Sequence, residues 1–256
     1  MPTVSADGAE LYYETEGSGE TVAFVGDAGY GAWQWGWQHA AVAGPYESLV
    51  TDLRGVGRSG GGTGIDGVGI LAADLAAVLA DAGADTAHVV GAGLGGMVAL
   101  RAALSTSRVE SLVLIGTAAR GGGLELGPTW ADPNDHDALE RSVAAVTSES
   151  FVDTHPDAVE RMVAWRAAED APRPVFDAHA AAATAFDVSD RLYEITRPAM
   201  VVHGDDDCVW PPARGAELAA GLPRAKFREI DGAGHLVPAE ASRRVNDDLL
   251  GFLAGV

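Results

Sequence analysis

Short apolar segments typical of β-strands alternate with helical segments over most of the chain, and this alternation limits the possible folds more than any other feature. The strand-like segments are 9–16, 20–25, 47–52, 86–91, 110–116, 198–203 and 225–230, and the helical ones are 66–82, 95–105, 212–221 and 239–254. The Gly17-Ser18-Gly19 stretch between the first two segments predicts a hairpin. The alternation as a whole predicts an α/β protein, with a mainly parallel central sheet and helices on both faces.

The alternation is interrupted between residues 120 and 190, where helical stretches occur without a clear strand. Ligands of parallel-sheet proteins bind at the carboxyl ends of the strands. We therefore expect one domain over residues 1–256, with 120–190 inserted as a helical cap above those ends. The alternative is that these helices are extra packing with no site beneath them.

The charge balance is strongly acidic, since 37 Asp and Glu residues face 17 Lys and Arg residues, giving a net charge of −20. A surface of this kind repels nucleic acids and anionic membranes, so neither is expected as a partner. Lys226 is the single lysine. An acidic, lysine-poor chain suggests a halophilic source, in which salt screens the repulsion between carboxylates. A GC-rich genome would produce a similar composition.

The sequence carries no signal for export or membrane insertion. No run approaches 18 uninterrupted apolar residues, and the first residues lack a basic start followed by an apolar stretch. Cys208 is the one cysteine, so an internal disulfide cannot form. We expect a cytoplasmic protein that binds a small-molecule substrate or ligand, and the oligomeric state is left open.

The turn between the strand at 86–91 and the helix at 95–105 is rich in glycine. Gly91, Gly93 and Gly96 fit the G-x-G-x-x-G pattern, which is typical of dinucleotide-binding turns. Such a turn normally opens its domain, whereas here several elements precede it. The acidic residue that would bind the ribose is also missing from the end of the next strand, at 114–117. A dinucleotide-binding oxidoreductase is therefore a weak alternative.

Three further segments follow predicted strands: residues 52–59 (DLRGVGRS), 204–207 (GDDD) and 232–235 (GAGH). Together with the glycine turn, and in this chain order, they resemble the α/β-hydrolase superfamily over essentially the whole chain. In that superfamily the turn reads G-x-S-x-G and carries the nucleophile. The position that matches the nucleophilic serine is Gly93, which has no side chain to attack with.

The resemblance implies roles for the other positions. Asp207 matches the acid and His235 the base, and the backbone N–H groups of Ala28 and Leu94 match the oxyanion hole. No metal and no cofactor are implied.

The loop that follows the strand at 20–25 is unusual, because Asp27 stands where the superfamily commonly has glycine. An ionised carboxylate there would oppose a developing oxyanion, so we expect Asp27 to act as a turn residue. The candidates for residues that line a pocket all lie in this loop and are Asp27, Tyr30 and Trp33.

The favoured function is an enzyme that acts on a small apolar carbonyl compound, ester or lactone. In this interpretation His235 and Asp207 provide a general base for water, the missing side chain at Gly93 leaves room for that water, and no acyl-enzyme forms. The alternatives are a catalytically silent small-molecule binding protein and the dinucleotide-binding oxidoreductase.

Overall fold

The computed structural model describes residues 2–256, which form an eight-stranded sheet with helices around it. The strands are β1 (Thr3–Ala6), β2 (Ala9–Gly17), β3 (Thr21–Val25), β4 (Glu47–Thr51), β5 (Ala87–Ala92), β6 (Val109–Ile115), β7 (Ala199–Gly204) and β8 (Ala225–Ile230). The helices are α1 (His39–Val42), α2 (Val68–Asp81), α3 (Leu94–Ser105), α4 (His136–Val146), α5 (Glu149–Thr154), α6 (Pro156–Glu169), α7 (Arg173–Ala185), α8 (Pro212–Gly221), α9 (Val237–Glu240) and α10 (Ser242–Leu253). Short 3₁₀ helices lie at Ala32–Trp35, Gly127–Thr129 and Ser189–Glu194.

The strand order in the sheet is β1-β2-β4-β3-β5-β6-β7-β8, and all pairs from β4 to β8 are parallel. Side chains alternate between two separate apolar cores, as along β3, where Ala23 and Val25 join one core and Val22 and Phe24 the other. The first core includes side chains of α2 and α3, and the second includes side chains of α10. The predicted mainly parallel α/β sheet with helices on both faces is confirmed.

The predicted hairpin between the first two long strands is wrong. β2 and β3 are not neighbours, because β4 lies between them and pairs antiparallel with β2 and parallel with β3. All five residues of β3 are buried, as is typical of a strand in the interior of a parallel sheet. Such a strand needs a parallel neighbour on each side, and β4 and β5 provide them.

The segment between β6 and β7 contains α4 to α7, and we refer to residues 120–190 as the cap. It contacts the loop after β3, where the Phe176 ring packs against Gly29 and the Ala171 N–H donates to the Gly29 carbonyl at 2.8 Å. It also reaches the loop after β8, where the Val146 carbonyl accepts from the His235 N–H at 2.9 Å. Residues of this segment therefore contact the loops that follow β3 and β8.

Two smaller features differ from the sequence-based expectation. The last predicted helix is divided at Ala241 into α9 and α10, and strand β1 was not predicted. Within residues 2–256, no helix combines the length and the apolar character needed to cross a membrane.

A buried ion pair joins the loop after β4 to α2. The Arg54 guanidinium donates to both carboxylate oxygens of Asp74 at 2.6 Å, and the side chains are only 3% and 7% exposed. A two-pronged bond of this kind is geometrically demanding and strong. It fixes the segment that begins at Asp52, against which the loop after β3 is hydrogen-bonded.

We expect Asp74→Asn to lower the free energy of unfolding by about 3–5 kcal/mol, because a buried guanidinium loses its compensating charge. The matched control is Glu217→Gln, which breaks the exposed Arg120–Glu217 pair and should cost about 0–1 kcal/mol. Urea denaturation of both variants measures the difference. Equal effects would show that the buried pair has no special role in stability.

Candidate active site

The turn between β5 and α3 is a sharp, tightly packed elbow. Gly93 stands at its apex with φ +49° and ψ −116°, in the left-handed region of φ that favours glycine. Its N–H donates to the Ile115 carbonyl at 3.0 Å, and its carbonyl accepts from the Thr117 hydroxyl at 2.6 Å. A Cβ on Gly95 would overlap the Val25 carbonyl, so that glycine is needed for close approach of α3 to β3.

The carboxylate of Asp27 points at this elbow from the end of β3. Its Oδ1 accepts from the Ala28 and Leu94 N–H groups, both at 2.6 Å. These are the two donors that the sequence analysis assigned to an oxyanion hole, and they converge on one point, which Asp27 itself occupies. Asp27 does begin a turn, as expected, because the Tyr30 N–H donates to its carbonyl at 3.2 Å. Its side chain, however, also lies fully buried at the centre of the site, which the turn role alone did not predict.

The Asp27 carboxylate leaves no space for a side chain at position 93. A Cβ built on Gly93 would overlap the Asp27 Cγ and both of its oxygens. The expected room for a water at this position is therefore not present, because the carboxylate fills it. The two departures from the α/β-hydrolase pattern, glycine at 93 and aspartate at 27, are one structural feature.

His235 lies between two carboxylates. Its Nε2 is 2.8 Å from Asp27 Oδ2, and its Nδ1 is 3.0 Å from Asp207 Oδ2. Asp207 is held by the Val209 and Trp210 N–H groups, which donate to its Oδ1 at 2.9 and 2.8 Å. Asp27, His235 and Asp207 form a continuous buried chain of hydrogen bonds, which we call the carboxylate–imidazole array.

The electrostatics of the array favour a protonated imidazole. Burial by itself would lower the pKa of His235, but the charges and hydrogen bonds of Asp207 and Asp27 raise the pKa to about 10. Burial would likewise raise the pKa of Asp207, but the charge of His235 and its other hydrogen-bond donors hold the pKa well below its usual range. The two neighbouring carboxyl groups therefore favour a protonated His235, and a protonated imidazole cannot accept a further proton.

Several side chains hold the loop that carries Asp27. The Gln34 amide oxygen accepts from the Asp27 N–H at 2.8 Å, and Asp52 Oδ1 accepts from the Ala32 N–H at 2.7 Å. His179 on α7 accepts from the Gly29 N–H through Nδ1 at 3.1 Å. Burial lowers the pKa of His179 to about 4, which keeps this nitrogen an acceptor. Nothing in the sequence around His179 identified it beforehand.

Tyr30 and Trp33, the expected pocket candidates, pack the same loop against the cap. The two rings lie 5.2 Å apart, and the Arg166 guanidinium lies 4.8 Å from the Tyr30 ring. Trp33 Nε1 donates to Asp170 at 2.7 Å. Trp33 also lines a cavity of about 170 Å³, but no member of the array does. Asp27 is therefore a member of the array, whereas Tyr30 and Trp33 pack the loop that carries it.

A dinucleotide has no place at the glycine turn. The pyrophosphate of such a cofactor would need the N-terminus of α3, where the Leu94 N–H already donates to Asp27. A second anion there would be repelled by the buried carboxylate. For metals, among residues 2–256 a ligand-like grouping occurs only at the exposed His136, Asp137 and Glu140, whereas the array is buried.

Comparison with known proteins agrees with the geometry. A family model described as alpha/beta hydrolase fold matches residues 29–242. The chain is 29% identical to RutD of Azorhizobium caulinodans, named as a carbamate hydrolase, with 98% of each chain covered. It is 31% identical to a non-heme haloperoxidase of Rhodococcus erythropolis, with 99% of each covered.

Two solved structures are similar over nearly the whole chain. An N-acyl homoserine lactone degrading enzyme superposes with a TM-score of 0.86 at 29% identity, covering 98% of this chain and 100% of the other. The enol-lactonase of Burkholderia xenovorans LB400 superposes with a TM-score of 0.88 at 23% identity, covering 99% and 100%. At that identity, the second comparison supports the fold alone.

We expect Gly93→Ser to lower the free energy of unfolding by more than about 3 kcal/mol, because overlap with Asp27 adds to backbone strain. Asp27→Gly/Gly93→Ser should recover at least half of the loss, since the overlap is gone. Gly62→Ser is the control, with φ +54° but open space around it. Urea denaturation measures these three variants and Asp27→Gly, and additive effects of the substitutions at 27 and 93 would contradict the exclusion.

The raised pKa of His235 gives a prediction for pH. Protonated His235 stabilises the fold below its unfolded pKa of about 6.5, and this contribution is lost as the pH rises through about 10. The free energy of unfolding should therefore fall by a few kcal/mol across that interval, and less in His235→Gln. His136→Gln, an exposed substitution, should follow the wild type. The same dependence in wild type and His235→Gln would contradict the assignment.

Proposed function

We propose that this chain, which belongs to the α/β-hydrolase fold family, is a hydrolase that acts on a small apolar ester, lactone or related carbonyl compound without a serine nucleophile. One observation carries the proposal. The Ala28 and Leu94 N–H groups and His235 Nε2 converge on a single carboxyl group, that of Asp27. Two converging backbone donors and an adjacent base are the parts that hydrolysis of a carbonyl compound requires.

The relatives support the same substrate class. One is named as a carbamate hydrolase and another as an enzyme that degrades N-acyl homoserine lactones, each at 29% identity over 98% of this chain. Carbamates and N-acyl homoserine lactones both contain a carbonyl group. We propose that this chain shares that type of reaction, with a different group in place of the serine.

The proposed chemistry depends on the charge of Asp27. While Asp27 is ionised and bonded to Nε2, His235 keeps its proton and cannot act as a base. When the negative charge of Asp27 no longer acts on Nε2, His235 loses one of its two carboxylate partners, and the pKa of His235 falls. His235, still oriented by Asp207, can then take a proton from water. General-base catalysis contributes about 10²–10⁴-fold.

A second candidate is a catalytically silent binding protein. It is favoured by the same closed geometry, since Asp27 occupies the oxyanion hole and holds the proton of His235 in one buried arrangement. In this alternative Asp207 and His235 would serve stability alone. The two candidates differ in whether His235 is needed for turnover.

The test is turnover of activated esters and small lactones, at neutral and alkaline pH. We expect His235→Ala to lose at least about 10²-fold in rate, because no other side chain can replace the imidazole as a base. His136→Ala removes an exposed histidine on α4 and should retain the wild-type rate. Absence of turnover in the wild type would favour the binding protein. Equal rates above the uncatalysed reaction in wild type and His235→Ala would contradict the proposed role of His235.

A further inference from the structure

Another cavity, of about 150 Å³, lies between the base of the cap and α8, and no member of the array lines it. Its lining comes from the segment after β6, from the 3₁₀ helix at Ser189–Glu194 and from α8. About 10–15 Å³ of such space is enough for one water molecule, so the cavity has room for a compound of several heavy atoms. It is therefore a separate site that can hold a small molecule.

The cap leaves and rejoins the rest of the protein beside this cavity. The two segments of chain pair with each other there, since the Val188 N–H donates to the Ala119 carbonyl at 2.9 Å. We call residues 118–121 and 186–189 the cap stem. The cavity thus lies where the cap stem meets α8.

Arg214, in the first turn of α8, lines the cavity and has a hydrogen-bond donor that the protein does not use. Its Nη2 donates to the Gly122 carbonyl at 2.9 Å. Its Nη1 is buried and, within residues 2–256, has no hydrogen-bond partner. A buried charged donor without an acceptor is costly, and a group of this kind in a folded protein calls for a partner such as a bound ion. An anion in the cavity would supply the missing acceptor.

Arg120, on the cap stem, brings a second guanidinium to the cavity. Its Nη2 is 3.4 Å from Glu217 Oε2, in an ion pair whose side chains are both more than half exposed. Exposed pairs of this kind contribute little to stability and rearrange at small cost. Asp187, which is paired with Arg120 across the stem, is also exposed, and its carboxylate accepts from the Ser189 N–H and hydroxyl. Two guanidiniums and one carboxylate line the cavity itself, so one positive charge there is uncompensated.

The remaining wall of the cavity is mainly apolar. It includes Ala118, Ala119, Leu192 and Leu218. A ligand that fits both parts of this lining has one negative charge and a short alkyl chain. A dianion such as phosphate fits less well, because it would leave excess negative charge in a chain whose net charge is already −20.

We infer that the cavity between the cap stem and α8 is a binding site for a small apolar monocarboxylate such as butyrate. The guanidiniums of Arg214 and Arg120 donate to the carboxylate, and planar guanidinium groups suit that geometry. The alkyl chain contacts Leu192 and Leu218. The ligand joins the cap stem to α8, because one arginine belongs to each. Ester hydrolysis also releases a carboxylate, but binding in this cavity does not require the proposed reaction.

The test is a calorimetric titration of the full-length protein with sodium butyrate at constant ionic strength. We expect one site with a dissociation constant of about 1 mM, an affinity within reach of so small a ligand. n-Butanol, which has the same chain without the charge, should bind at least about 10-fold more weakly. Amide hydrogen exchange locates the ligand. The Gly121 and Val188 N–H groups bond across the stem, and their exchange should slow with butyrate but not with n-butanol.

Three variants test the charges. Arg214→Gln should weaken butyrate binding at least about 10-fold, because the buried guanidinium is lost. Arg224→Gln, which removes an exposed arginine between α8 and β8, should bind butyrate as the wild type does. Glu217→Gln should bind butyrate about 2–5-fold more tightly, because Arg120 is released from its ion pair. Tighter binding is a result that damage to the fold would not produce.

Several outcomes would overturn the inference. Absence of butyrate binding, or equal binding in the wild type and Arg214→Gln, would remove the site. Equal affinity for butyrate and n-butanol would contradict a carboxylate ligand, and equal affinity for butyrate, chloride and inorganic phosphate would contradict an apolar monocarboxylate. Butyrate binding without slower exchange at Gly121 and Val188 would contradict the location. None of these measurements depends on turnover, so failure of the proposed hydrolysis would leave them unchanged.

Discussion

The bonds from the Ala28 and Leu94 N–H groups to one oxygen of Asp27 are the interaction on which the rest of the site depends. They bring a carboxylate against the elbow, and this contact requires glycine at position 93. The same carboxylate places its second oxygen on His235 Nε2, which together with Asp207 keeps the imidazole protonated. The absence of an elbow side chain, the filled hole and the charged histidine therefore have one physical cause.

The array buries two acidic side chains on either side of one imidazole. Charged groups are costly to bury unless donors and dipoles surround them. Asp207 receives two backbone N–H groups in addition to His235. Asp27 lies at the N-terminus of α3, where the helix dipole and the Leu94 N–H favour an anion. Gly93, the N-cap residue, has no side chain to cap α3, and Asp27 supplies this cap from another loop.

Much of the fold could be predicted from the sequence, because the patterns that indicate strands and helices are local. The strands β5 to β8 and the helix α3 follow from apolar periodicity and from glycine at their ends. The order of β2, β4 and β3 could not, because the glycine turn at residues 17–19 fixes where the chain bends but not which strand lies beside it. That choice is made by burial of both faces of β3, which depends on the whole sheet.

The site, like the fold, could be predicted from the sequence only in part. His235 and Asp207 could be placed from their motifs, and the two backbone donors from their positions beside the loop and the elbow. The direction of the Asp27 side chain could not be predicted, because the turn role and the inward role use the same residue type. His179 and Gln34, which hold the loop in position, act through tertiary contacts that leave no pattern along the chain.

The coupling of positions 27 and 93 also clarifies how the α/β-hydrolase scaffold can accommodate a change in its reactive group. The hole and the histidine are fixed by elements that do not include the residue at the elbow: the end of β3, the first N–H of α3, and the loop after β8. Any group that reaches their common focus meets the same donors and the same imidazole. The site therefore remains assembled without a side chain at the apex. The Asp27 carboxylate from the neighbouring loop occupies the space and makes hydrogen bonds to the same donors and the same imidazole. The scaffold specifies where the two donors and the histidine lie, and the residues at 27 and 93 specify which side chain fills the space between them.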